Sequence, residues 1–424
     1  MQIFTVSSLA KDEATAVSQI RTSLLEKTKD KPQFIQFYFY NCYDVEKLRL
    51  EAVNAFPNTK LSGASMSIGA FDKDNILGFP NTTNNSSVKK SRFSVRAQSQ
   101  ENDNFVLFAM AFYDPKGFFG NAICEVDENN NLKISETIRE ASKGAGRSGV
   151  FPDLIIMHYT QELIFKFRKE FEEIMGANNA IIGGACSSSD FGEKGAVFTQ
   201  DKSSKDCELY LLNFLYLSCE VEIKTRTPCR ALNKKARITK VDGKKVLELN
   251  YQPAADVICR WEGIDSSDMT INELKGVIER FNNRSFVGFA QPSITNEQLY
   301  NVSIIKGITS DRGIDTYYEW SVGDELYLLH SKNENLHDNF LVANNLNYRQ
   351  ILAQLHIMCL SFSHIKDKRI FKEDIVNKVR VQHLVDNYIV YSAGGEIGKD
   401  ITDSMLLGNY TVATVTFIAK KGGN

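Results

Sequence analysis

The sequence lacks an excess of charge of either sign and has no long apolar run. It contains 50 Lys and Arg residues against 52 Asp and Glu, which gives a formal net charge of −2. This balance argues against a protein that binds nucleic acid or an anionic membrane through bulk charge. The longest strongly apolar stretch, 209–217, is about half as long as a membrane-spanning helix. We therefore expect neither nucleic-acid binding nor membrane insertion.

The sequence also lacks paired cysteines and a secretory signal. Its 8 cysteines are scattered, with no C-x-x-C pair and no histidine at zinc-finger spacing. The first residues contain no basic region followed by a long apolar segment. Thiols of a long chain without such a signal are expected to stay reduced. These features together predict a cytoplasmic protein.

No assembled catalytic motif is present. The G-x-G-x-x-G pattern at 144–149 follows a helical pattern and precedes a strand, whereas a dinucleotide needs a helix directly after the glycines. Residues 63–67 resemble a nucleophile elbow but lack its second glycine. Cys186 lies in a glycine- and serine-rich turn, and a nucleophilic thiol would also need a histidine base. We expect a protein that is not an enzyme, with a thiol-dependent hydrolase as the alternative.

What the sequence does contain is a repeated strand–helix–strand cassette. Residues 34–40 (FIQFYFY) read as a strand buried on both faces, and a helix capped by Asp44 and a strand at 60–65 that contains Gly63 follow. The same order recurs from the strand at 153–158 to a strand at 180–186 that contains Gly184, with nearly the same spacing. The recurrence predicts a duplicated βαβ module with parallel strands in each copy.

The second half of the chain mixes helical and strand patterns, including a hairpin with an Asp-Gly turn at 242–243. We predict an α/β (mixed α+β) fold of two domains. The first, 1–222, contains the duplicated βαβ module, and the second, 223–424, is a mixed sheet with helices.

The 6 histidines show no metal-ligand spacing. His158 would lie at the C-terminal end of a parallel strand, the edge where ligands bind to open α/β sheets. His364 follows a run with the pattern of a buried segment. If a haem is present, these two are the candidates for its axial ligand.

Segments along most of the chain resemble the FIST sensory family, in both its N-terminal and its C-terminal domains. The N-terminal resemblance rests on LSGASMSIG (61–69), IGGA (182–185) and GAVF (195–198). The C-terminal resemblance rests on VLELNYQPA (246–254), SVGD (321–324), YSAGGEI (391–397) and NYTV (409–412). No F-box, kinase or cyclase region accompanies them, so the chain resembles the stand-alone bacterial type.

The resemblance implies an intracellular sensor that binds a small, amino-acid-like ligand and regulates a signalling partner such as a histidine kinase. Some stand-alone members of the family resemble haem proteins that sense nitric oxide, which leaves a haem-binding nitric-oxide sensor as an alternative. A scaffold that binds only protein is a third possibility.

Glycine-rich strand ends expose backbone N–H groups that can hold a carboxylate, so we predict the ligand site between the two halves. Glu396 is the predicted anchor for an ammonium group of the ligand. The predicted contact residues are Gly63, Ser65, Gly184, Ser187, Gly395 and Glu396.

Overall fold

The structure is a computed structural model. It describes these residues: 1–40, 42–77, 105–126, 132–160, 164–176, 179–186, 195–205, 209–226, 229–282, 285–291, 299–331, 350–358, 376–377, 379, 385–393, 396–399, 406–408 and 412–420.

The first part of the chain alternates strands with two helices. Both helices begin at an aspartate: Asp12 accepts a hydrogen bond from the N–H of Thr15 and Asp44 from that of Lys47, which satisfies N–H groups that a helix start leaves unpaired. The elements are β1 (Gln2–Ser8), α1 (Glu13–Lys27), β2 (Phe34–Tyr40), α2 (Val45–Ala55), β3 (Lys60–Asp72), β4 (Ile76–Leu77) and β5 (Leu107–Tyr113).

The second part repeats this order. Its glycine pattern at 144–149 forms the turn after the first helix, with Gly146 and Gly149 at positive φ, as the sequence predicted for a helix-to-strand loop. The elements are β6 (Phe118–Glu125), α3 (Ile134–Gly144), β7 (Leu154–Tyr159), α4 (Ile164–Met175), β8 (Ile181–Ala185), β9 (Ala196–Thr199), β10 (Ser203–Lys205) and β11 (Leu209–Tyr216).

The third part is longer because additional strands and two helices are inserted between its first two core strands. The predicted hairpin at Asp242-Gly243 is present. The elements are β12 (Glu220–Arg226), β13 (Cys229–Asp242), β14 (Lys245–Leu249), β15 (Gln252–Pro253), α5 (Ala254–Trp261), α6 (Ile271–Phe281), β16 (Ser285–Gln291), β17 (Leu299–Ser303), β18 (Gly307–Ile308), β19 (Ile314–Asp315), β20 (Glu325–Ser331), β21 (Ile351–Met358), β22 (Tyr388–Ser392), β23 (Glu396–Lys399), β24 (Leu406–Gly408) and β25 (Val412–Ile418).

Three four-stranded units share one topology. Their strand orders are β1-β5-β2-β3 in unit 1, β6-β11-β7-β8 in unit 2 and β12-β25-β21-β22 in unit 3. Counted along the chain, the second and third strands of each unit are parallel neighbours. The fourth strand lies between the first and the second and runs antiparallel to both. The mixed α/β fold and the parallel pairing inside both predicted cassettes are confirmed. The sequence predicted only a duplication, and unit 3 is a third copy.

The units combine into two sheets whose inner faces pack together. β3 of unit 1 pairs with β22 of unit 3, which joins those two units in one sheet, while unit 2 lies in another. The apolar layer between the sheets draws side chains from all three units, such as Phe34, Leu154 and Leu355. The inner faces of the three units therefore form one common core.

The outer face of each unit is covered differently. α1 and α2 cover unit 1, and α3 and α4 pack against unit 2. In unit 3 the connection between β12 and β21 contains β13–β20, whose Phe286, Val302 and Leu329 pack on Met358 and Val390 of the unit 3 sheet. The inserted layer thus covers the face that helices cover in the other units. The predicted boundary after residue 222 stays a prediction; β12 spans it and pairs with β25.

Equivalent hydrogen bonds inside the units show which residues correspond between them. In unit 1 the N–H of Gln33 donates to the carbonyl of Phe112, as that of Asp153 does to Leu215 in unit 2. In unit 2 the N–H of Ile155 donates to the carbonyl of Ala180, as that of Gln354 does to Asn387 in unit 3. By this correspondence, Tyr38 of β2, His158 of β7 and Ile357 of β21 occupy equivalent inner-face positions. Their neighbours on the adjacent parallel strands, Ala64, Gly184 and Tyr391, are equivalent as well.

Candidate functional site

A group of polar side chains lies on the inner faces near the C-terminal ends of the parallel strands, where the three units meet. All of them are buried between the two sheets. We call this group the polar centre; its members are Gln36, Tyr38, Ser62, His158, Asn213 and Tyr391. The C-terminal ends of parallel strands are the usual place for ligands in α/β proteins, which makes the polar centre the candidate site.

Three rings from three units form the middle of the polar centre. Tyr38 and Tyr391 are stacked with their ring centroids 4.6 Å apart. His158 meets Tyr38 edge to face at 5.7 Å, and its Nδ1 lies 3.4 Å from the Tyr391 hydroxyl. Because the three residues come from β2, β7 and β22, this contact exists only when all three units are assembled.

Several polar atoms of the centre have no hydrogen-bond partner among the described residues. They are the hydroxyls of Tyr38 and Ser62, Nε2 of His158 and Oδ1 of Asn213. A buried polar atom without a partner costs about 1–3 kcal/mol. These four atoms therefore leave the polar centre with hydrogen-bonding capacity that the described residues do not use.

The side chains of Gln36 and Asn213 link the two sheets, two residues along the strands from the level of the three rings. The amide Nδ2 of Asn213 donates to Oε1 of Gln36 at 3.3 Å and to the carbonyl of Ile156 at 3.2 Å. Gln36 in turn donates from Nε2 to the carbonyl of Phe37 at 2.9 Å. Both amides are therefore held in fixed orientations, and Oδ1 of Asn213 remains an available acceptor.

The polar centre carries no formal charge. Burial lowers the pKa of His158 to about 3, although the nearby main chain of Gly184 acts in the opposite direction, so its imidazole is neutral at physiological pH. Burial raises the pKa of the Tyr38 and Tyr391 hydroxyls well above their usual value, and both stay protonated. The centre thus offers hydrogen-bond donors and acceptors without an ionised group.

The structure brings two of the predicted site residues side by side. Glu396 pairs with Gly184 across β23 and β8, and Gly184 pairs with His158 across β8 and β7. A Cβ atom on Gly184 would lie 2.6 Å from Cβ of Ala393 and 2.9 Å from Cγ2 of Ile357. Gly184 therefore has a packing role at the meeting point of the units, directly beside the polar centre.

The predicted residues of β3 face the outer layer. Gly63 pairs with Phe198, whose ring occupies the space that a Cβ on Gly63 would need. The hydroxyl of Ser65 accepts the N–H of Ala196 at 2.9 Å, and Gly195 packs closely between Ser65 and Cys186. The ends of β3 and β8 therefore lie close together, and both glycines allow close packing there; that these residues contact a ligand stays a prediction. Ser187 and Gly395 lie outside the described residues.

The surroundings of His158 do not fit a haem. An axial histidine needs a flat open space beyond its coordinating nitrogen, whereas this side chain is 1% exposed and packs against two tyrosine rings. His158 does lie near the end of a parallel strand, as the sequence predicted. The other candidate ligand, His364, lies outside the described residues.

Sequence reasoning missed most of the polar centre. Tyr38 is predicted only as part of a strand buried on both faces, and Tyr391 and Ser62 enter the sequence analysis only as parts of longer segments, such as those that carry the resemblance. Two residues did carry a signal: Gln36 interrupts an otherwise apolar strand, and Asn213 interrupts the longest apolar stretch of the chain. A polar residue fully buried in such a strand needs a specific partner, which both have.

Within the described ranges, no helix has the length and apolar character required to cross a membrane.

Comparisons with known proteins identify a family. The family model described as FIST N domain matches residues 33–252, more than half of the chain. No curated protein matches. Among solved structures, the crystal structure of cyanuric acid hydrolase from A. caulinodans aligns with 98% of this chain and 99% of that one at 8% identity, but the TM-score of 0.32 is too low to support an argument. The family match decides the matter: the chain belongs to the FIST family, whose domain is a sensory small-ligand-binding domain of signal transduction.

Proposed function

We propose that the polar centre is where this sensory protein recognises its ligand. The observation that carries the proposal is the set of unpartnered buried atoms on Tyr38, Ser62, His158 and Asn213. A ligand that supplies the missing partners recovers the cost of leaving them unpaired. Because the rings of the centre come from three units, a ligand there also changes the contacts between units, which gives the binding event a route to the surface.

The family resemblance favours an amino-acid-like ligand, and the position of Glu396 supports it. Its backbone pairs with Gly184, which places residue 396 two strands from His158 in the sheet. We propose Glu396 as the anchor for the ligand's ammonium group and the uncharged centre as the site for the ligand's side chain. The signal would then pass to a partner such as a histidine kinase.

The proposed role is not catalytic. Burial raises the pKa of the Cys186 thiol to about 12, so the thiolate that would be needed as a nucleophile is scarce at neutral pH. Burial also lowers the pKa of His158 to about 3, which makes its imidazole a weak base. Both shifts oppose a thiol-dependent hydrolase.

Replacing Tyr38 with Phe tests the location of the ligand. The wild-type hydroxyl has no partner among the described residues, so the free variant should be as stable as the wild type or more so. Its affinity for an amino acid found in a thermal-shift screen should fall by about 0.5–1.5 kcal/mol, the value of a neutral hydrogen bond. Isothermal calorimetry measures the affinity, and Tyr113→Phe, at the far end of unit 1, is the matched control. Unchanged affinity in Tyr38→Phe would place the ligand elsewhere.

Replacing Glu396 with Gln tests the anchor separately. The variant keeps the shape of the side chain and removes its charge. Affinity for the same amino acid should fall by about 1.5–3 kcal/mol, typical of a hydrogen bond to a charged group, while the melting temperature stays close to that of the wild type. A variant that melts earlier but binds normally would assign Glu396 a structural role.

A further inference from the structure

The glycine pattern at 144–149 holds a loop that exposes apolar side chains. Gly146 and Gly149 adopt φ angles of 66° and 77°, a backbone conformation that glycine tolerates best. Directly after them, Val150 is 52% exposed and Phe151 is 60% exposed. The loop precedes β7, so it lies at the end of unit 2 away from the polar centre, which is near the other end of that strand.

The loop adjoins a third exposed apolar side chain, Phe118 at the start of β6. The guanidinium carbon of Arg147 lies 3.6 Å from the centroid of the Phe118 ring, which is 40% exposed. Phe118 also pairs with Tyr216, whose hydroxyl donates to the carbonyl of Val150 at 2.8 Å. These contacts hold the three apolar residues together. We call Phe118, Arg147, Val150 and Phe151 the loop patch.

The loop patch carries and adjoins positive charge that nothing in the chain balances. Lys116 and Lys143 are exposed and lie a few residues from Phe118 and Arg147. Within the described part of the chain, neither lysine nor Arg147 forms an ion pair. The two acids nearest to the patch along the chain, Asp114 and Asp153, accept hydrogen bonds from backbone N–H groups. The surface there is therefore both apolar and cationic.

This combination is complementary to an anionic lipid surface. Apolar side chains enter the boundary between headgroups and acyl chains, while Lys and Arg remain at the level of the phosphates. A specific protein interface usually takes about 20–30 residues on each side, which is far more than the loop patch offers. The nearly neutral charge of the whole chain does not oppose such a contact, because salt screens exposed charges beyond about 8–10 Å.

We propose that the loop patch docks the protein on an anionic membrane surface. The docking is peripheral and needs no membrane-spanning segment. Phe118, Val150 and Phe151 enter the headgroup boundary, and Arg147 and the two lysines pair with lipid phosphates. Since Arg147 stands on the Phe118 ring, its charge stays beside the apolar contact. The polar centre then lies at the end of unit 2 that points away from the lipid.

Cosedimentation of the full chain with vesicles tests this docking. The probes are vesicles of phosphatidylcholine alone and vesicles in which about one third of the lipid is phosphatidylglycerol. The anionic vesicles should bind the protein roughly tenfold more tightly, since each cation near an anionic surface adds to the attraction. Sodium chloride at about 1 M, where the Debye length is about 3 Å, should weaken that binding.

Two variants locate the contact. Phe151→Ala removes an exposed apolar ring and should weaken binding to the anionic vesicles about tenfold. Arg147→Gln removes one cation and should weaken it about fivefold. The matched controls are Leu25→Ala on α1 and Arg237→Gln on β13, which replace exposed residues of the same kinds elsewhere and should bind like the wild type.

Three results would overturn the proposal. The first is no binding to the anionic vesicles or equal binding to phosphatidylcholine alone, and the second is binding that both loop variants leave unchanged. The third comes from a synthetic peptide of alternating glutamate and leucine. If that peptide binds and both variants weaken it while vesicles are ignored, the loop patch is a surface for an acidic protein segment and not for lipid.

Discussion

Gly184→Val should lower the free energy of unfolding by about 3 kcal/mol, the upper part of the usual range for overpacking. Already the first carbon of the new side chain would lie 2.6 Å from Cβ of Ala393 and 2.9 Å from Cγ2 of Ile357. Both neighbours belong to unit 3 and neither can move away alone: Ile357 lies on β21, and Ala393 follows β22 and donates its N–H to the carbonyl of Met358. Urea denaturation followed by circular dichroism measures the loss.

The matched control is Gly307→Val. Gly307 lies in a short strand with no atom within 4 Å of a Cβ placed on it, so the substitution should leave stability nearly unchanged. If Gly184→Val proves as stable as the control, units 2 and 3 do not meet at Gly184.

Phe112→Ala should cost about 3–5 kcal/mol, as truncation of a fully buried phenylalanine usually does. Its ring contacts Phe34 of the same unit, Phe119 of unit 2 and Phe417 of unit 3, with centroids 5.6, 6.0 and 5.4 Å away. The residue therefore joins all three units at the end of the core opposite the polar centre. Removing the ring leaves a cavity that rigid strands cannot close.

Phe151→Ala is the control for this substitution, because Phe151 is 60% exposed and its truncation should cost less than about 0.5 kcal/mol. Both variants are measured by urea denaturation. A loss below about 1 kcal/mol in Phe112→Ala would contradict the three-unit core.

The sequence predicted the elements whose patterns are local. The apolar strand 34–40, the N-cap at Asp44 and the parallel cassettes of units 1 and 2 are all confirmed, because each depends on neighbours within a few tens of residues. A fixed interval between similar segments is what makes a repeat visible in a single sequence. Units 1 and 2 keep that interval.

Unit 3 does not keep it, which explains why it was missed. Its first strand, β12, is separated from β21 by the whole inserted layer β13–β20, so its strands come together only in the folded chain. The pairing of β3 with β22 crosses more than 300 residues and has no local signature. The same distance conceals the contact of Tyr38 with Tyr391.

The candidate site was predictable only in part. The position of His158 follows from the strand in which it lies. The backbone pairing of Glu396 with Gly184 has no local signal in the sequence, and their contact with a ligand stays a prediction. The packing roles of Gly63 and Gly184 depend on which side chains lie opposite them. These tertiary contacts cannot be inferred from the residues of a glycine-rich strand end alone.

The central claim is that a ligand binds at the buried centre formed by three units, and the ring nitrogens of His158 report on it directly. We would record nitrogen-15 NMR of the imidazole in the free protein and during titration with an amino acid found in the thermal-shift screen. The free imidazole should stay neutral down to about pH 4, since burial lowers its pKa to about 3. The Nε2 resonance should shift as its missing hydrogen-bond partner arrives, in proportion to the ligand bound in calorimetry. A histidine that titrates near pH 6.5, its ordinary pKa, or an Nε2 resonance that stays unchanged while the protein becomes saturated, would contradict the account.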